Sequence, residues 1–335
     1  MANATIGVGT YAGQMALPYV ASAILSADTI ANGYVSVLEN VYSKAVLRKF
    51  SGTAIQANDD CAFSTPSAGQ LTLGEAVLEA IALKVNEQVC NADLRATWES
   101  QQIRSQNAGA PADFTTFVAQ YVASKVAENV EINLWGGNFD PTDSSLTGGG
   151  VLGTSFDGLF HHIVDAEASL GYDGEVAGAF TADANATTGI LTHLDALVGN
   201  APSAVQSDGN ANIYMSRKSL FQLQRAMAGI GVFQGTSGSG YGGAGYSPEF
   251  VGQARPTSFL GFNVIAPAGC PNDTLLLANP NQLYFGTNIL TDHIQASILD
   301  LTGTTGDDVT RVIMQFSGGT QIVDAGSLAV VRRTS

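Results

Sequence analysis

Two adjacent histidines, His161 and His162, are the residues best suited to metal chemistry, because aspartates lie close to them in the chain. Asp157 precedes them, and Asp165 follows His161 by four residues, so that His161 and Asp165 share one face of a helix. Imidazole and carboxylate groups are common zinc ligands, but a protein site usually supplies at least three of them. Because no third ligand is identifiable, we expect polar groups at a helix start here and no metal.

A glycine pattern later in the chain has the spelling of a dinucleotide-binding loop. Gly238, Gly240 and Gly243 satisfy G-x-G-x-x-G, which holds a pyrophosphate when a buried strand precedes it and a helix follows it. Here no buried strand leads into the glycines, no helical pattern follows them, and Pro248 comes soon after. The pattern therefore predicts a flexible loop, and we expect no cofactor.

The remaining sequence offers no catalytic constellation. It contains no G-x-S-x-G, H-E-x-x-H or P-loop motif, and the pair Asp307-Asp308 indicates a turn and not a calcium loop. Cys61, Cys90 and Cys270 are widely spaced and odd in number, which predicts buried, reduced thiols. We expect no catalytic residue, and an enzyme is the class with the least support.

Charge is sparse and unevenly distributed along the chain. Of the 335 residues, 45% are hydrophobic and 13% are charged, and the net charge is −15. No Lys or Arg lies between Lys125 and Arg217, where twelve Asp and Glu residues fall. Such a surface repels phosphate, so we expect no direct binding of DNA or RNA. The alternative, that the acidity simply keeps a concentrated protein soluble, explains the pattern equally well.

No segment has the features of a membrane span or a secretion signal. The longest aliphatic run, residues 275–278, is far too short to cross a bilayer. The first residues lack the basic start and the apolar core of a signal peptide. We therefore expect a protein that is made in a cytoplasm and has no membrane partner.

The chain is organised around a predicted helix over residues 113–135. Its apolar residues recur at three-and-four spacing, which places them on one helical face. Asp113 stands at the N-cap position, and Gly136-Gly137-Asn138 supplies backbone freedom at the C-terminus. A helix of this length spans roughly 35 Å, enough to carry other elements along it. The apolar face consists of Phe114, Phe117, Val118, Tyr121, Val122, Val126 and Val130, and the residues expected in the core are Phe114, Phe117, Tyr121 and Val130.

The segments before this helix predict a hairpin and a second helix. Residues 51–73 hold short alternating patches broken by Gly, Asn, Asp and Pro, which indicates a two-stranded excursion with a polar tip. Residues 73–102 begin at a capping-box sequence and have Val77, Ile81 and Val85 at helical spacing, so they predict a long helix. Residues 30–50 predict a helix or a turn-rich segment.

The segments after the helix predict a mixed module followed by strands. We expect a helix over 187–198, a buried strand over 211–215, a helix over 217–229 capped by Ser216, a glycine-rich loop over 229–245 and a strand over 259–265. From Thr274 onwards, short segments with period two recur about every ten residues, which predicts antiparallel strands. Helices first, strands last and a mixed module between them define the α+β class.

Several phrases of this sequence resemble the major capsid proteins of tailed phages, which have the HK97-like fold. Glu131, Leu134-Trp135 and Gly136-Gly137 resemble the end of that family's spine helix, and Gly158-Leu159 resembles the step after it. The phrases NIYMS-RKSLFQLQRA and LGFNV are similar to segments that build and leave the family's axial domain. KVNEQVCNADLRATW is similar to a helix of crAss-like and marine phage capsid proteins. By the order of elements the resemblance covers residues 30–333.

The resemblance implies an α+β HK97-like capsid fold with an N-terminal arm, an extended loop, a long spine helix, an axial domain and C-terminal antiparallel strands. The implied domains are an N-terminal arm and short helix at 1–42, an extended loop at 43–73, a peripheral domain at 74–160 and 273–335 with the spine helix at 113–135, and an axial domain at 161–272. The residues expected at subunit interfaces are Phe63, Pro66, Leu71, Lys44, Arg48, Lys49, Phe233, Tyr241 and Tyr246.

The function implied by the resemblance is that of a major capsid protein. It would self-assemble through hexamers and pentamers into an icosahedral shell that encloses phage DNA without sequence-specific binding. Its expected place is the virion capsid, assembled in the host cytoplasm with scaffold and portal proteins and, in some capsids, decoration proteins. The covalent cross-link of some family members is not supported, because residues 51–73 contain no Lys.

Two other functions remain open at this point. An encapsulin-type compartment shares the fold and would enclose a protein cargo in place of DNA. A bacterial surface or adhesive protein would explain the acidic composition rich in Gly, Thr and Asn, but it requires a secretion signal.

Overall fold

The structure is a computed structural model that describes residues 9–12, 28–51, 72–91, 114–138, 151–152, 156–182, 188–233, 258–288, 295–301 and 306–333. Within these ranges the chain forms six α-helices, two six-stranded sheets and two further pairs of strands. Helices and strands are therefore mixed along the chain. None of the helices in these ranges is long and apolar enough to cross a membrane.

The first sheet joins strands from both ends of the chain. Its members are β1 (Gly9–Ala12), β2 (Ser36–Leu38), β5 (Ile81–Cys90), β13 (Leu283–Thr287), β14 (Gln295–Asp300) and β15 (Val309–Ile322). The long strand β15 is antiparallel to β5, β13 and β14. At its margins β1 pairs with β14, and β2 runs parallel to β13. The N-terminal strands are thus held by the C-terminal ones.

The second sheet has the strand order β10-β11-β9-β12-β16-β8. Its members are β8 (Tyr172–Val176), β9 (Asn212–Met215), β10 (Ser258–Phe259), β11 (Phe262–Ile265), β12 (Thr274–Ala278) and β16 (Ala329–Arg333). β9 runs parallel to β11 and β16 runs parallel to β8, whereas the other neighbours are antiparallel. All residues of β9 and β12 are buried, as expected for central strands covered on both faces.

Helices cover both faces of this second sheet. The helices are α1 (Asp28–Ala31), α2 (Phe114–Gly136), α3 (Leu159–Asp165), α4 (Ile190–Gly199), α5 (Ser203–Gln206) and α6 (Arg217–Phe233). Tyr214, Leu276 and Val330 face the core that contains α2 and α3. The residues next to them in the same strands face a second core under α4 and α6. The period of two along each strand therefore builds two cores on one sheet.

The predicted long helix is present as α2, and it is held by a stripe of valines. Val118, Val122, Val126 and Val130 follow one another at intervals of four residues, and all are buried. Because β-branched residues are only moderate helix formers, this packing stabilises the helix more than its intrinsic propensity does. The sequence predicts Tyr121 in the core, but this prediction is wrong, because Tyr121 is 44% exposed. The side chains of Phe114 and Phe117 lie outside the described residues.

A two-stranded ribbon extends from the body before α2. It consists of β3 (Lys44–Ser51) and β4 (Thr72–Glu79), paired antiparallel from Lys44–Glu79 to Ser51–Thr72. This is the two-stranded excursion that the sequence predicts, but its paired part begins earlier, at residue 44, and its predicted polar tip lies outside the described residues. A second, parallel pair joins β6 (Gly137–Asn138) at the end of α2 to β7 (Val151–Leu152).

The helix predicted over residues 73–102 is wrong where the structure describes it. Residues 72–90 form β4 and β5, and residues 92–102 lie outside the described ranges. In β5 the residues Ile81, Leu83, Val85 and Val89 are partly buried against the first core, and most residues between them are exposed. Residues four positions apart, such as Ile81 and Val85, share a face in a helix and also in a strand. Because Leu83 between them is also partly buried, the period here is two, which is that of a strand.

Three smaller boundaries also differ from the predictions. Most of residues 30–50 are not helical, because β2 and β3 occupy them and only the short α1 precedes. Helix α6 continues to Phe233 instead of ending at Gly229. The strand predicted over 259–265 is a hairpin, since Leu260 and Gly261 both have positive φ angles and form the turn between β10 and β11.

Candidate functional site

A buried carboxylate joins the N-terminal segment to the long helix. Glu131 lies on the buried side of α2 and is 4% exposed. Its carboxylate accepts hydrogen bonds from the Thr29 backbone N–H at 3.0 Å and from the Thr29 hydroxyl at 2.5 Å. The Trp135 indole N–H donates to the same hydroxyl oxygen at 2.7 Å. The burial of Glu131 is thereby compensated, and α1 is fixed against the end of α2.

A tyrosine continues this contact into the second sheet. The Tyr214 hydroxyl donates a hydrogen bond to the backbone oxygen of Tyr34 at 2.8 Å, and the Tyr214 ring lies 5.3 Å from that of Trp135. Burial raises the pKa of Tyr214 above its ordinary value, so its hydroxyl stays a donor at neutral pH. Residues 28–38 are therefore seated on both α2 and the second sheet.

Gly158 explains why the chain turns closely behind α2. A Cβ at this position would stand 2.6 Å from both the Asn133 carbonyl oxygen and the Gly137 nitrogen. The Gly158 N–H also donates to the Gly137 carbonyl oxygen at 2.8 Å. The Gly-Leu step noted in the sequence is thus a close backbone approach that only glycine permits, followed by Leu159, which is fully buried.

The ribbon of β3 and β4 presents a face on which charged and apolar pairs alternate. In register along this face lie the pairs Lys44–Glu79, Val46–Val77, Arg48–Glu75 and Phe50–Leu73. Lys44 forms an ion pair with Glu79, and Arg48 lies 3.7 Å from Glu75. Val46 is 51% exposed and Phe50 is 73% exposed. Because large apolar side chains lie exposed in line on a strand pair, this face has the chemistry of a contact surface.

The opposite face of the ribbon is anchored to the body. Leu78 is fully buried and packs on Gly286 of β13, where any side chain would collide with it. Lys49 forms an ion pair with Asp324, and the Gln321 side-chain amide donates to the Val77 carbonyl oxygen at 2.7 Å. The base of the ribbon is therefore fixed, and its outward face is presented in one orientation.

His161 and His162 lie in the first turn of α3, and the sequence analysis predicts polar groups at a helix start here. His161 Nε2 lies 3.7 Å from Asp157 Oδ1 and 3.5 Å from Asp165 Oδ2, so protonation would place it in an ion pair with both carboxylates. Burial lowers the pKa of His162 from its ordinary value of 6.5, against the opposing effect of Asp157. In the described part of the chain, no group of three His, Cys, Asp or Glu side chains is placed to hold a metal ion.

The cysteines differ from one another in exposure. Cys270 is buried, as expected, and burial raises the pKa of its thiol to about 12. Cys90 is exposed at the end of β5, which corrects the expectation of a buried thiol, because the alternation of β5 turns it outward. Cys61 lies outside the described residues, as does the G-x-G-x-x-G segment.

The structure describes only part of the predicted interface set. Lys44, Arg48 and Lys49 lie on β3, the first two on the outward face and Lys49 on the anchored one. Phe233 ends α6, and its side chain is not described. The remaining predicted residues lie outside the described ranges: Phe63, Pro66, Leu71, Tyr241 and Tyr246.

Two groups of residues were missed by the sequence analysis. The exposed apolar residues of the ribbon were overlooked, although the alternation in KAVLRKF contains them. The role of Glu131 was also missed, and its signal was a charged residue four positions before Trp135, on the apolar side of α2. A carboxylate on a buried face indicates a nearby hydrogen-bonding partner.

Comparison with known proteins shows a likeness of fold. No family model matches the sequence, and no curated protein matches it. Similar solved structures include a chain of the satellite phage P4 procapsid with its size determination (Sid) protein, at a TM-score of 0.55 and 10% identity, covering 95% of this chain and 98% of that chain. The capsid of an empty GTA particle matches with a TM-score of 0.53 and 12% identity, and the match covers 100% of this chain and 94% of that chain.

A chain from Mycobacterium phage Bobi matches over a similar extent, with a TM-score of 0.50, 12% identity and coverage of 100% and 95%. At these identities the likeness concerns the fold alone. This chain therefore shares, with moderate similarity, the fold of chains from a phage P4 procapsid, a GTA capsid and Mycobacterium phage Bobi.

Proposed function

We propose that this chain is a major capsid protein with the HK97-like fold, which self-assembles through hexamers and pentamers into an icosahedral shell around phage DNA. The observation that carries the proposal is the fold likeness to procapsid and capsid chains over nearly the full length of both partners. In the proposal the protein acts through the geometry of its contacts and not through catalysis.

The mechanism rests on a rigid body that carries projecting contact elements. Helix α2 and the two sheets share one continuous core through Tyr214, Leu276 and Val330, so the body transmits contacts without deforming. The ribbon of β3 and β4 is fixed at its base and presents Val46 and Phe50 outward. In the proposal this face lies on a neighbouring subunit and buries its apolar pairs there, with Lys44 and Arg48 at the contact.

The domain division is part of the same proposal. In the proposal the chain divides into an N-terminal arm (1–42), the extended loop (43–73), a peripheral domain (74–160 and 273–335) and an axial domain (161–272). The second sheet is shared between the last two, because β12 and β16 pair with β8 and β9. The axial and peripheral parts are therefore expected to move as one body.

The partners follow from this role. Copies of the same chain supply the main contacts, and scaffold, portal and decoration proteins are the further partners of the proposal. The DNA lies inside the shell and is enclosed without sequence-specific contacts, in keeping with the net charge of −15. The contents of the shells would distinguish this function from an encapsulin-type compartment. Nucleic acid inside the shells would support a phage capsid, and a protein cargo would support a compartment.

The ribbon provides the experiment that tests the proposal. Phe50→Asp should leave the subunit folded, because Phe50 is mostly exposed, but it should prevent shells from closing, because it places a charge in the contact. The measurement combines circular dichroism with sedimentation of purified protein. Phe50→Tyr is the matched control and should still assemble. Shells of Phe50→Asp in the same yield as the parent would refute the role of this face.

A further inference from the structure

One peptide bond in the N-terminal segment has the chemistry for spontaneous modification. Asn32-Gly33 is the single Asn-Gly pair in the sequence. At such a pair the backbone nitrogen of the following residue can attack the side-chain amide carbon, and glycine obstructs this approach least because it has no side chain. Both residues are exposed, and in the described part of the chain no other atom would lie within 4 Å of a Cβ at Gly33. The pair is therefore open to water.

A single helical turn protects the pair. Asn32 follows α1, and its side-chain nitrogen donates to the Asp28 backbone oxygen at 2.7 Å and to Asp28 Oδ1 at 2.8 Å. The Gly33 N–H donates to the Ile30 backbone oxygen at 3.1 Å. Because a helix of four residues is marginal by itself, these bonds open locally without unfolding of the body. Opening frees the two reacting groups, the Asn32 amide and the Gly33 nitrogen.

The pair lies between the two contacts that seat this segment. On its N-terminal side Thr29 donates to Glu131 from its backbone N–H at 3.0 Å and from its hydroxyl at 2.5 Å. On its C-terminal side the backbone oxygen of Tyr34 accepts a hydrogen bond from the Tyr214 hydroxyl at 2.8 Å. The Tyr34 N–H also donates to the Thr29 backbone oxygen at 3.0 Å. These contacts are made together only with the present length of main chain between Thr29 and Tyr34.

We propose that Asn32 is a deamidation site and that its conversion releases residues 28–38 from α2 and the second sheet. The Gly33 nitrogen attacks Cγ of Asn32 and forms a new C–N bond. The bond from Cγ to Nδ2 breaks, and ammonia leaves with the proton that the Gly33 nitrogen gives up. Water then opens the cyclic succinimide at either carbonyl group. The products are aspartate and isoaspartate, and in isoaspartate the main chain runs through Cβ and Cγ.

Both products disturb the seat of the segment. The side-chain donors to Asp28 are lost, and the new carboxylate stands four residues from the Asp28 carboxylate, where like charges repel. Isoaspartate also adds one carbon to the main chain between Thr29 and Tyr34, so their two contacts no longer fit together. Because opening permits the reaction and the product resists closing, the segment acts as a one-way latch. This inference goes beyond the proposed function and does not depend on assembly.

Mass spectrometry of the aged protein tests the modification. The folded parent is incubated at mildly alkaline pH, and deamidation raises the mass of the peptide that contains Asn32 by about 1 Da. Asn200 is an internal control, because it is exposed at the end of α4 and donates to the Ala196 backbone oxygen at 2.9 Å, but alanine follows it. Asn32 should convert about tenfold faster than Asn200 or more. Equal rates, or an intact Asn32, would overturn the inference.

Hydrogen exchange tests the release. In the aged parent the amides of residues 28–38 should exchange about fivefold faster than in fresh protein or more, because their seat is lost. Asn32→Gln is the matched control, since glutamine keeps an amide but forms the corresponding ring far more slowly, and its exchange should not change with age. Asp28→Ala removes a protecting acceptor and should accelerate deamidation by about threefold or more. Deamidated protein that exchanges as slowly as fresh protein, or an unchanged deamidation rate in Asp28→Ala, would overturn the latch.

Discussion

At the scale of single residues, the N-terminal contact depends on one buried carboxylate. Glu131 receives two hydrogen bonds from Thr29, and Trp135 donates to the same threonine. These bonds connect parts of the chain that lie about a hundred residues apart in sequence. Because a polar group buried without partners is strongly unfavourable, this cluster determines where residues 28–38 lie.

Replacing this carboxylate should therefore loosen the N-terminal segment. Glu131→Ala is expected to lower the free energy of unfolding by about 2–4 kcal/mol, because the backbone N–H and the hydroxyl of Thr29 lose their buried acceptor. Urea denaturation measures the change, and limited proteolysis should show faster cleavage near residue 28. Glu128→Ala, on the exposed side of the same helix, is the control and should change little. Equal stability of the two variants would show that the Glu131 contact does not stabilise the fold.

His162 gives the fold a defined response to acid. Burial lowers its pKa below the ordinary value of 6.5, and His161 adds to this effect while Asp157 and Asp165 oppose it. The unfolded chain thus binds a proton that the folded chain resists, so stability is complete above pH 6.5 and falls as the pH decreases below it.

This sign can be measured directly. Between about pH 7.5 and about pH 5.5 the parent protein should lose stability more steeply than His162→Gln, which has no imidazole to protonate. Urea denaturation of both proteins at a series of pH values gives the two slopes. The carboxylates contribute equally to both proteins, so the difference reports on His162. Parallel slopes would contradict the assignment.

At the scale of elements, α2 has one buried side and one exposed side, and the boundary between them is sharp. Val118 and Val122 are buried, whereas Tyr121 between them is exposed. Successive residues of a helix differ by about 100°, so Tyr121 points about 60° away from Val118, on the side away from Val122. The boundary between core and surface therefore passes between adjacent residues.

Matched substitutions should separate these two sides. Val122→Asp is expected to destabilise the subunit by about 3–5 kcal/mol or to prevent folding, because it buries an unpaired charge. Tyr121→Asp should cost less than about 1 kcal/mol, since the side chain reaches solvent. Thermal and urea denaturation of the isolated subunit measure both. If Tyr121→Asp unfolds the subunit while Val122→Asp does not, the orientation of α2 is wrong.

The elements also show what the sequence could predict and what it could not. Helix α2 was found because its apolar residues repeat at helical spacing over several turns, and helix α6 was found because Ser216 provides a clear cap before its apolar face. Strand β9 was found as a short apolar segment directly before that cap. In β5 the spacing of Ile81 and Val85 fits both periods. The choice depends on pairing with β15, more than two hundred residues later, and local patterns do not contain that information.

The β10–β11 hairpin was not predicted for a different reason. Its turn places Leu260 at a φ of 47°, a conformation that non-glycine residues seldom adopt, and residues 259–265 were therefore taken for one strand. The candidate site was only partly predicted as well. Position along the chain indicated the ribbon, but which of its faces is exposed follows from the anchoring of Leu78 and Lys49 to distant strands.

At the scale of the whole molecule, the two sheets and the long helix form one body with surfaces suited to repeated contact. The ribbon presents alternating charged and apolar pairs on one side. A single subunit leaves these surfaces exposed, and copies of the same chain are the partners that cover them in the proposed shell.

The most direct test of the central claim is the size and shape of the purified protein. Sedimentation followed by cryo-electron microscopy, over a range of salt and protein concentrations, should show closed shells or free hexameric and pentameric rings in which the ribbon of one subunit lies on its neighbour. A protein that stays monomeric across all these conditions, with crowding agents included, would contradict the account.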